Sequence, residues 1–209
     1  MSWLLLWTSH PSLPLQCSFC RRLALIEIAA IIAPRRRKFA IHPVLCQGSA
    51  TVKTTILFVC SGNYCRSPLA EGLARFLLAR RGLADQFDVI SAGTLDVYAG
   101  QPPAPRVIDV LTELGAGGPQ QPPHQLTADE VSRAALILAM AHEHLDWLAQ
   151  QYPEAVERTY LLTDLIGEDW DIADPGTQEL AALRATRNTL YRVLQAGLDE
   201  LLRRSEVRL

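Results

Sequence analysis

From residue 54 onward, short strand-like runs alternate with longer stretches whose apolar residues recur at helical spacing. Ile56-Leu57-Phe58-Val59 is the first such run, the pattern of a strand covered on both faces. Leu69, Leu73, Phe76 and Leu77 then share one helical face and leave Arg75, Arg80 and Arg81 outward. That helix is expected to open at Ser67-Pro68, with serine capping the free amides, and to stop at Gly82. Phe87-Asp88-Val89-Ile90 reads as a second strand running into Ser91-Ala92-Gly93-Thr94. A Gly/Pro-rich loop leads to a helix over Arg106–Leu114, and residues 115–123 read as loop again. Thr127, with Glu130 three residues later, opens a short helix. Residues 135–140 form a third strand, followed by a helix to Gln151, and residues 159–162 form a fourth. One final helix is expected over Gln178–Arg204, with Leu183, Leu190, Leu194, Leu198 and Leu201 on one face. The alternation predicts an α/β fold of three layers. A four-stranded parallel sheet carries helices on both faces, and the ligand sits at the carboxyl ends of the strands, where a loop follows the first strand.

Residues 1–51 do not share this pattern. Met1–Trp7 and the apolar run from Leu23 to Ala33 both fall short of the roughly 18–20 apolar residues that a membrane span needs. No charged segment precedes the first run, which makes it a poor secretory signal. Cys17 and Cys20 have the spacing of a metal pair, but no second pair completes a zinc site. The expectation is an N-terminal extension over 1–51, disordered or the product of a mis-called start near Val52, and one domain over 52–209. The intact mass of the native protein distinguishes the two forms of the extension.

Charge divides along the same boundary. Six of the 20 basic residues but only Glu27 of the 22 acids lie in residues 1–51, so the remainder holds 14 basic and 21 acidic groups. An acidic domain argues against nucleic acid as a partner. Five cysteines, an odd number in a chain of 209 residues, do not form a disulfide framework, and a reducing cytoplasm suits them.

The chemistry concentrates in Cys60-Ser61-Gly62-Asn63-Tyr64-Cys65-Arg66-Ser67-Pro68, between the first strand and the first helix. Gly62 allows close backbone approach and Asn63 tolerates a left-handed conformation, so successive N–H groups can converge on an anion. The helix adds its positive end, and Arg66 adds a planar fork for two oxygens. The same positive field favours a thiolate at Cys60, and Ser67 is placed to donate to the sulfur. Cys60 alone would read as a small buried hydrophobe; six residues before Arg66, in this frame, it reads as a nucleophile. Cys65 stays open between a packed thiol and a partner in a reversible disulfide with Cys60.

Residues 59–68 match hydrophobic, Cys, any residue, Gly-Asn, any residue, Cys-Arg-Ser-Pro, and so the chain resembles the low-molecular-weight protein tyrosine phosphatase family. The likeness extends through Leu69-Ala70-Glu71, Ser91-Ala92-Gly93-Thr94, Leu138-Ala139-Met140, Tyr160-Leu161-Leu162 and Asp174-Pro175-Gly176. It implies a two-step hydrolysis of phosphorylated protein through a phosphocysteine intermediate, with no metal and no cofactor. Cys60, Arg66 and Asp174 would be catalytic, and Ser61, Gly62, Asn63, Tyr64, Cys65 and Ser67 would bind substrate. Asp174 would protonate the leaving group and then activate water. From the residues alone, Asp174-Pro175-Gly176 reads as a turn, with Asp169 and Asp171 as rival acids.

The departures from the family bear on substrate. Tyrosine phosphatases of this family present aromatics beside the site, where this chain aligns Val97, with Tyr98 adjacent, and Gly176-Thr177. Tyr98 or Trp170 is the candidate for a substitute wall, with ordinary packing the alternative for either. Tyr64 stands where tyrosine phosphatases carry a small aliphatic residue and the protein-arginine phosphatase branch carries threonine, whereas Ala139–His144 resembles the latter branch. Phosphotyrosine is therefore the first expectation and phosphoarginine the alternative. His142 and His144, two apart on a helix, do not share a face for a metal. A thioredoxin-linked arsenate reductase needs cysteines after Cys65, and none follow. A phosphoprotein-binding module would lack the nucleophile or the acid, and a phosphotransfer carrier would not need Arg66.

Overall fold

The computed structural model describes residues 53–176 and 179–205. The expectations for residues 1–51, including the Cys17–Cys20 pair, lie outside them. Four strands, β1 (Thr54–Cys60), β2 (Phe87–Gly93), β3 (Ala134–Ala139) and β4 (Thr159–Leu161), pair in parallel in the order β2-β1-β3-β4. Helices α1 (Arg66–Arg80), α2 (Pro105–Thr112), α3 (Ala128–Arg133), α4 (His142–Gln151), α5 (Leu180–Ala196) and α6 (Leu198–Ser205) cover the two faces.

Strand alternation sorts the apolar runs into two cores. Ile56, Phe58, Leu136, Leu138 and Met140 pack with the leucines of α1 and α5, whereas Leu57, Val59, Ile137 and Ala139 pack toward Val131 and Leu148. Every one of these strand residues is fully buried, which is why the strands read as unbroken apolar runs. Each large side chain contributes about 1.5–3 kcal/mol by leaving water.

The chain turns out of α1 where Gly82 N–H donates to Ala79 O (3.0 Å) and Leu83 N–H to Leu78 O (2.9 Å), as the sequence predicts. Several ends shift by one or two residues, among them α2, β3 and β4, and two differences change the packing. α1 begins at Arg66 with Cys65 before it, and no side chain caps it, so Ser67 lies inside the first turn and its hydroxyl is free for other work. The single helix expected from Gln178 to Arg204 is two, divided at Gly197. A Cβ at Gly197 would stand 2.5 Å from Leu165 Cβ, so the break lets the chain pass against the turn at Leu162–Ile166. Because both helices bury the same side, their leucine spacing runs across the break unchanged.

From central β1 the chain passes first to β2 on one side and later to β3 on the other. The loop leaving β1 therefore occupies the crevice that this reversal opens, with the N-terminus of α1 beneath it.

Candidate active site

The loop between β1 and α1 is held from outside. Thr94 N–H donates to Cys60 O and Leu95 N–H to Ser61 O, both at 2.9 Å, which continues the β1–β2 pairing past the end of the sheet. Gly93 makes this approach possible, since a Cβ there would lie 2.8 Å from Ser61 O and 3.0 Å from Asn63 N. Asn63 is the non-glycine residue with left-handed backbone among the described residues (φ 50°), and it is buried. Its amide nitrogen donates to Ser67 Oγ (3.0 Å) and Ser91 Oγ (2.9 Å), and its amide oxygen accepts from His124 N–H (3.2 Å). Those three bonds hold a conformation that asparagine tolerates better than most residues.

Ser67 Oγ lies 3.0 Å from Cys60 Sγ. With Asn63 donating into it, its own proton is left for the sulfur or for Ala92 O at 3.3 Å. Behind Ser91 stands Glu71, whose carboxylate accepts from Ser91 Oγ (2.7 Å) and from Gln120 N–H (2.9 Å). Burial raises the Glu71 carboxyl above its ordinary value, against these hydrogen bonds and the nearby Arg75.

Arg66, at 5% exposure, reaches three oxygens. Its Nη1 donates to Ile172 O (3.3 Å), its Nη2 to Ser61 Oγ (3.0 Å), and Nη2 pairs with Asp174 Oδ2 at 2.6 Å. The Asp174 side chain is 58% exposed, and its other oxygen accepts from Gly176 N–H at 2.8 Å. Cys60, Gly62, Tyr64, Cys65, Arg66, Tyr98, Asp174 and Gly176 together line a cavity of about 90 Å³. The Tyr64 and Tyr98 rings are stacked at its mouth, and no disulfide joins Cys60 to Cys65.

A family model described as low molecular weight phosphotyrosine protein phosphatase matches residues 55–207. The chain belongs to this family of hydrolases. It is 34% identical over 147 residues to a probable low molecular weight protein-tyrosine-phosphatase, EpsP, of Ralstonia nicotianae, covering 70% of this chain and 95% of that one. It is 32% identical over 149 residues to a protein-arginine-phosphatase of Bacillus subtilis, with the same coverage of 70% and 95%. The crystal structure of a low molecular weight protein tyrosine phosphatase from T. tengcongensis superposes with a TM-score of 0.65 at 29% identity, over 71% of this chain and 99% of that one. The α/β fold with its phosphate loop after β1 is thus the fold of the family.

The residues singled out in the sequence separate cleanly in space. Asp169 and Asp171, the rival acids, are engaged by His142, at 2.8 Å to Nε2 and 2.6 Å to Nδ1 respectively. Those carboxylates raise the His142 ring above the usual histidine range. Of the two substitute aromatics, Tyr98 lines the loop cavity, and Trp170 lines another with Ile172 and Thr186. Among the described residues no helix is long and apolar enough to cross a membrane.

His144, which the sequence offered as half of a metal pair and as part of the stretch resembling the arginine-phosphatase branch, stands against the loop, its Nε2 2.9 Å from Ser61 Oγ. Burial, and after it the charge of Arg66, depresses its ring to about 4, so it is neutral near pH 7. Glu71 and Ser91 were quoted only as part of the family likeness. A lone glutamate inside an otherwise apolar helical face was the signal for the first, and α1 is buried on nearly every side there.

Proposed function

We propose that the protein hydrolyses phosphomonoesters on proteins, phosphotyrosine first, through a phosphocysteine intermediate. The observation that carries this reading is the convergence of Cys60 Sγ, Arg66 and Asp174 on one small cavity, with Ser67 Oγ 3.0 Å from the sulfur. The phosphoryl oxygens sit among the loop N–H groups of residues 61–66, the helix N-terminus and the Arg66 fork. Cys60 thiolate forms the S–P bond as the P–O bond to the leaving group breaks, and Asp174 gives its proton to the departing oxygen. Asp174, now a carboxylate, takes a proton from water. That water attacks phosphorus, inorganic phosphate leaves, and the thiolate returns with Ser67 donating to it.

Phosphoarginine is the second reading, favoured by the similarity to protein-arginine-phosphatases, one of them 33% identical over 147 residues. The same groups would break a P–N bond, Asp174 protonating the guanidine nitrogen. Both readings place the protein in the reducing cytoplasm, with a phosphorylated protein as partner and without metal or cofactor. Turnover of phosphotyrosine and phosphoarginine peptides by the purified chain tests them together. Release of phosphate from neither rejects the proposal.

A further inference from the structure

Ser61 and His144 come from different elements and meet beside Arg66. His144 is the third residue of α4 and is 1% exposed. Its Nε2 lies 2.9 Å from Ser61 Oγ, and Arg66 Nη2 donates to that oxygen at 3.0 Å. The other ring nitrogen, Nδ1, is buried with no hydrogen-bond partner. A buried N–H without an acceptor is strongly disfavoured, more so than an unpaired ring nitrogen lone pair. The ring proton therefore sits on Nε2 and is donated to Ser61 Oγ. That oxygen then accepts from His144 and Arg66, and its own proton points to Glu143 Oε1 at 3.4 Å. Every valence of the hydroxyl is used.

This is not a nucleophilic serine with its base. Such a base accepts the hydroxyl proton and is oriented by a carboxylate on its second nitrogen. Here Nε2 donates, Nδ1 has no partner, and Glu143 approaches the Nε2 side at 3.3 Å.

We propose that His144 is a positioning residue of the phosphate site, which fixes Ser61 Oγ as an acceptor so that Ser61 holds the Nη2 edge of Arg66. The proposal rests on the reading that Arg66 grips the phosphoryl oxygens. Arg66 has two fixed anchors, Ile172 O on Nη1 and Ser61 Oγ on Nη2, and one competitor, the Asp174 carboxylate at 2.6 Å. With the Ser61 anchor lost, the guanidinium turns toward Asp174, which draws the fork from the cavity and the acid from its work. The ring must be neutral for this role, because a protonated His144 would set a second cation beside Arg66 and leave an Nδ1–H without an acceptor. The charged groups facing it are Arg66 from α1, Glu143 from its own helix, and Asp171 and Asp174 from the segment after β4.

The test compares the full chain with H144A, S61A, S61T and the H144A/S61A double variant. The readouts are the inhibition constant of inorganic phosphate and the kcat and KM of an aryl phosphate. H144A and S61A should each weaken phosphate about tenfold, the size of one hydrogen bond in a charged network. The double variant should be no worse than either single one, and S61T, which keeps the hydroxyl, should stay within about threefold of the parent. Should H144A fail to fold, H144F, which fills the ring's space without a donor to Ser61, takes its place in the same comparison. Two effects that multiply in the double variant, or a H144A protein with a lower melting temperature and unchanged phosphate inhibition, would overturn the proposal alone. A parent chain that neither binds phosphate nor cleaves the ester would overturn the phosphatase reading as well.

Discussion

Tyr64 and Tyr98 lie face to face, with ring centroids 4.2 Å apart and planes 13° from parallel. One ring comes from within the phosphate loop and the other from the loop after β2, and together they line the mouth of the Cys60 cavity. Their stack is set by Gly62, where a Cβ would stand 2.7 Å from the Tyr98 ring. The pair presents an aromatic surface at the cavity. Stacking of this kind is worth about 0.5–1.5 kcal/mol beyond area burial.

Replacing Tyr64 with threonine removes one ring of the stack and opens space beside Arg66. The ratio of kcat/KM for phosphoarginine over phosphotyrosine peptides should rise about tenfold, the scale at which pocket contacts discriminate substrates. An unchanged ratio in a competition assay would take Tyr64 out of substrate choice.

Cys60→Ser should abolish turnover of an aryl phosphate while phosphate binding persists, since the loop amides and Arg66 remain. Asp174→Ala should reduce kcat by about 10²–10⁴-fold for substrates with poor leaving groups and much less for good ones. Asp169→Ala, whose parent carboxylate is taken by His142, should leave that leaving-group dependence intact. The reverse assignment of the two aspartates in a leaving-group series sinks the role given to Asp174.

Asn63→Ala removes three hydrogen bonds and leaves a non-glycine, non-asparagine residue at φ 50°. The expected loss is about 2–4 kcal/mol of stability, read from urea unfolding, together with most of the activity. Stability lost without activity, or the converse, would separate the two roles that the hydrogen bonds assign to this residue.

The depressed ring of His144 makes stability depend on pH in a defined window. Unfolded histidine binds a proton below about 6.5, whereas the folded ring does so only near 4. Between those values the unfolded state holds more protons, so stability falls as pH drops from about 6.5 to 4, by up to about 3 kcal/mol. Glu71 works in the opposite sense, because burial raises its carboxyl and favours the folded state at the acid end. Subtracting the unfolding free energies of H144Q from those of the parent across this window removes Glu71 and isolates the histidine. A flat difference would show that the ring is not held neutral.

Much of this arrangement is legible in the chain. Unbroken apolar runs mark the inner strands β1 and β3, because both of their faces are covered, whereas β2 carries Asp88 and β4 is the short Thr-Tyr-Leu. The loop is legible because an anion site needs glycine, asparagine and arginine within a few residues of one another. What escaped depends on contacts across the fold. His144 lies 83 positions from Ser61, and no local pattern reports that they touch. Glu71 bonds to Ser91 and Gln120, again from distant segments. The division at Gly197 escaped for the opposite reason, since two helices that bury the same side keep one periodicity.

The hydrogen bonds from Thr94 and Leu95 to the carbonyls of Cys60 and Ser61 bear on the thermodynamics of binding. A cradle already fastened to the sheet has little conformational entropy left to lose when an oxyanion enters. The temperature dependence of phosphate affinity then reports mainly the desolvation of the anion and of Arg66. Asp174 has no such fastening to the sheet: it is joined to the rest of the site through the Arg66 guanidinium and the Gly176 N–H.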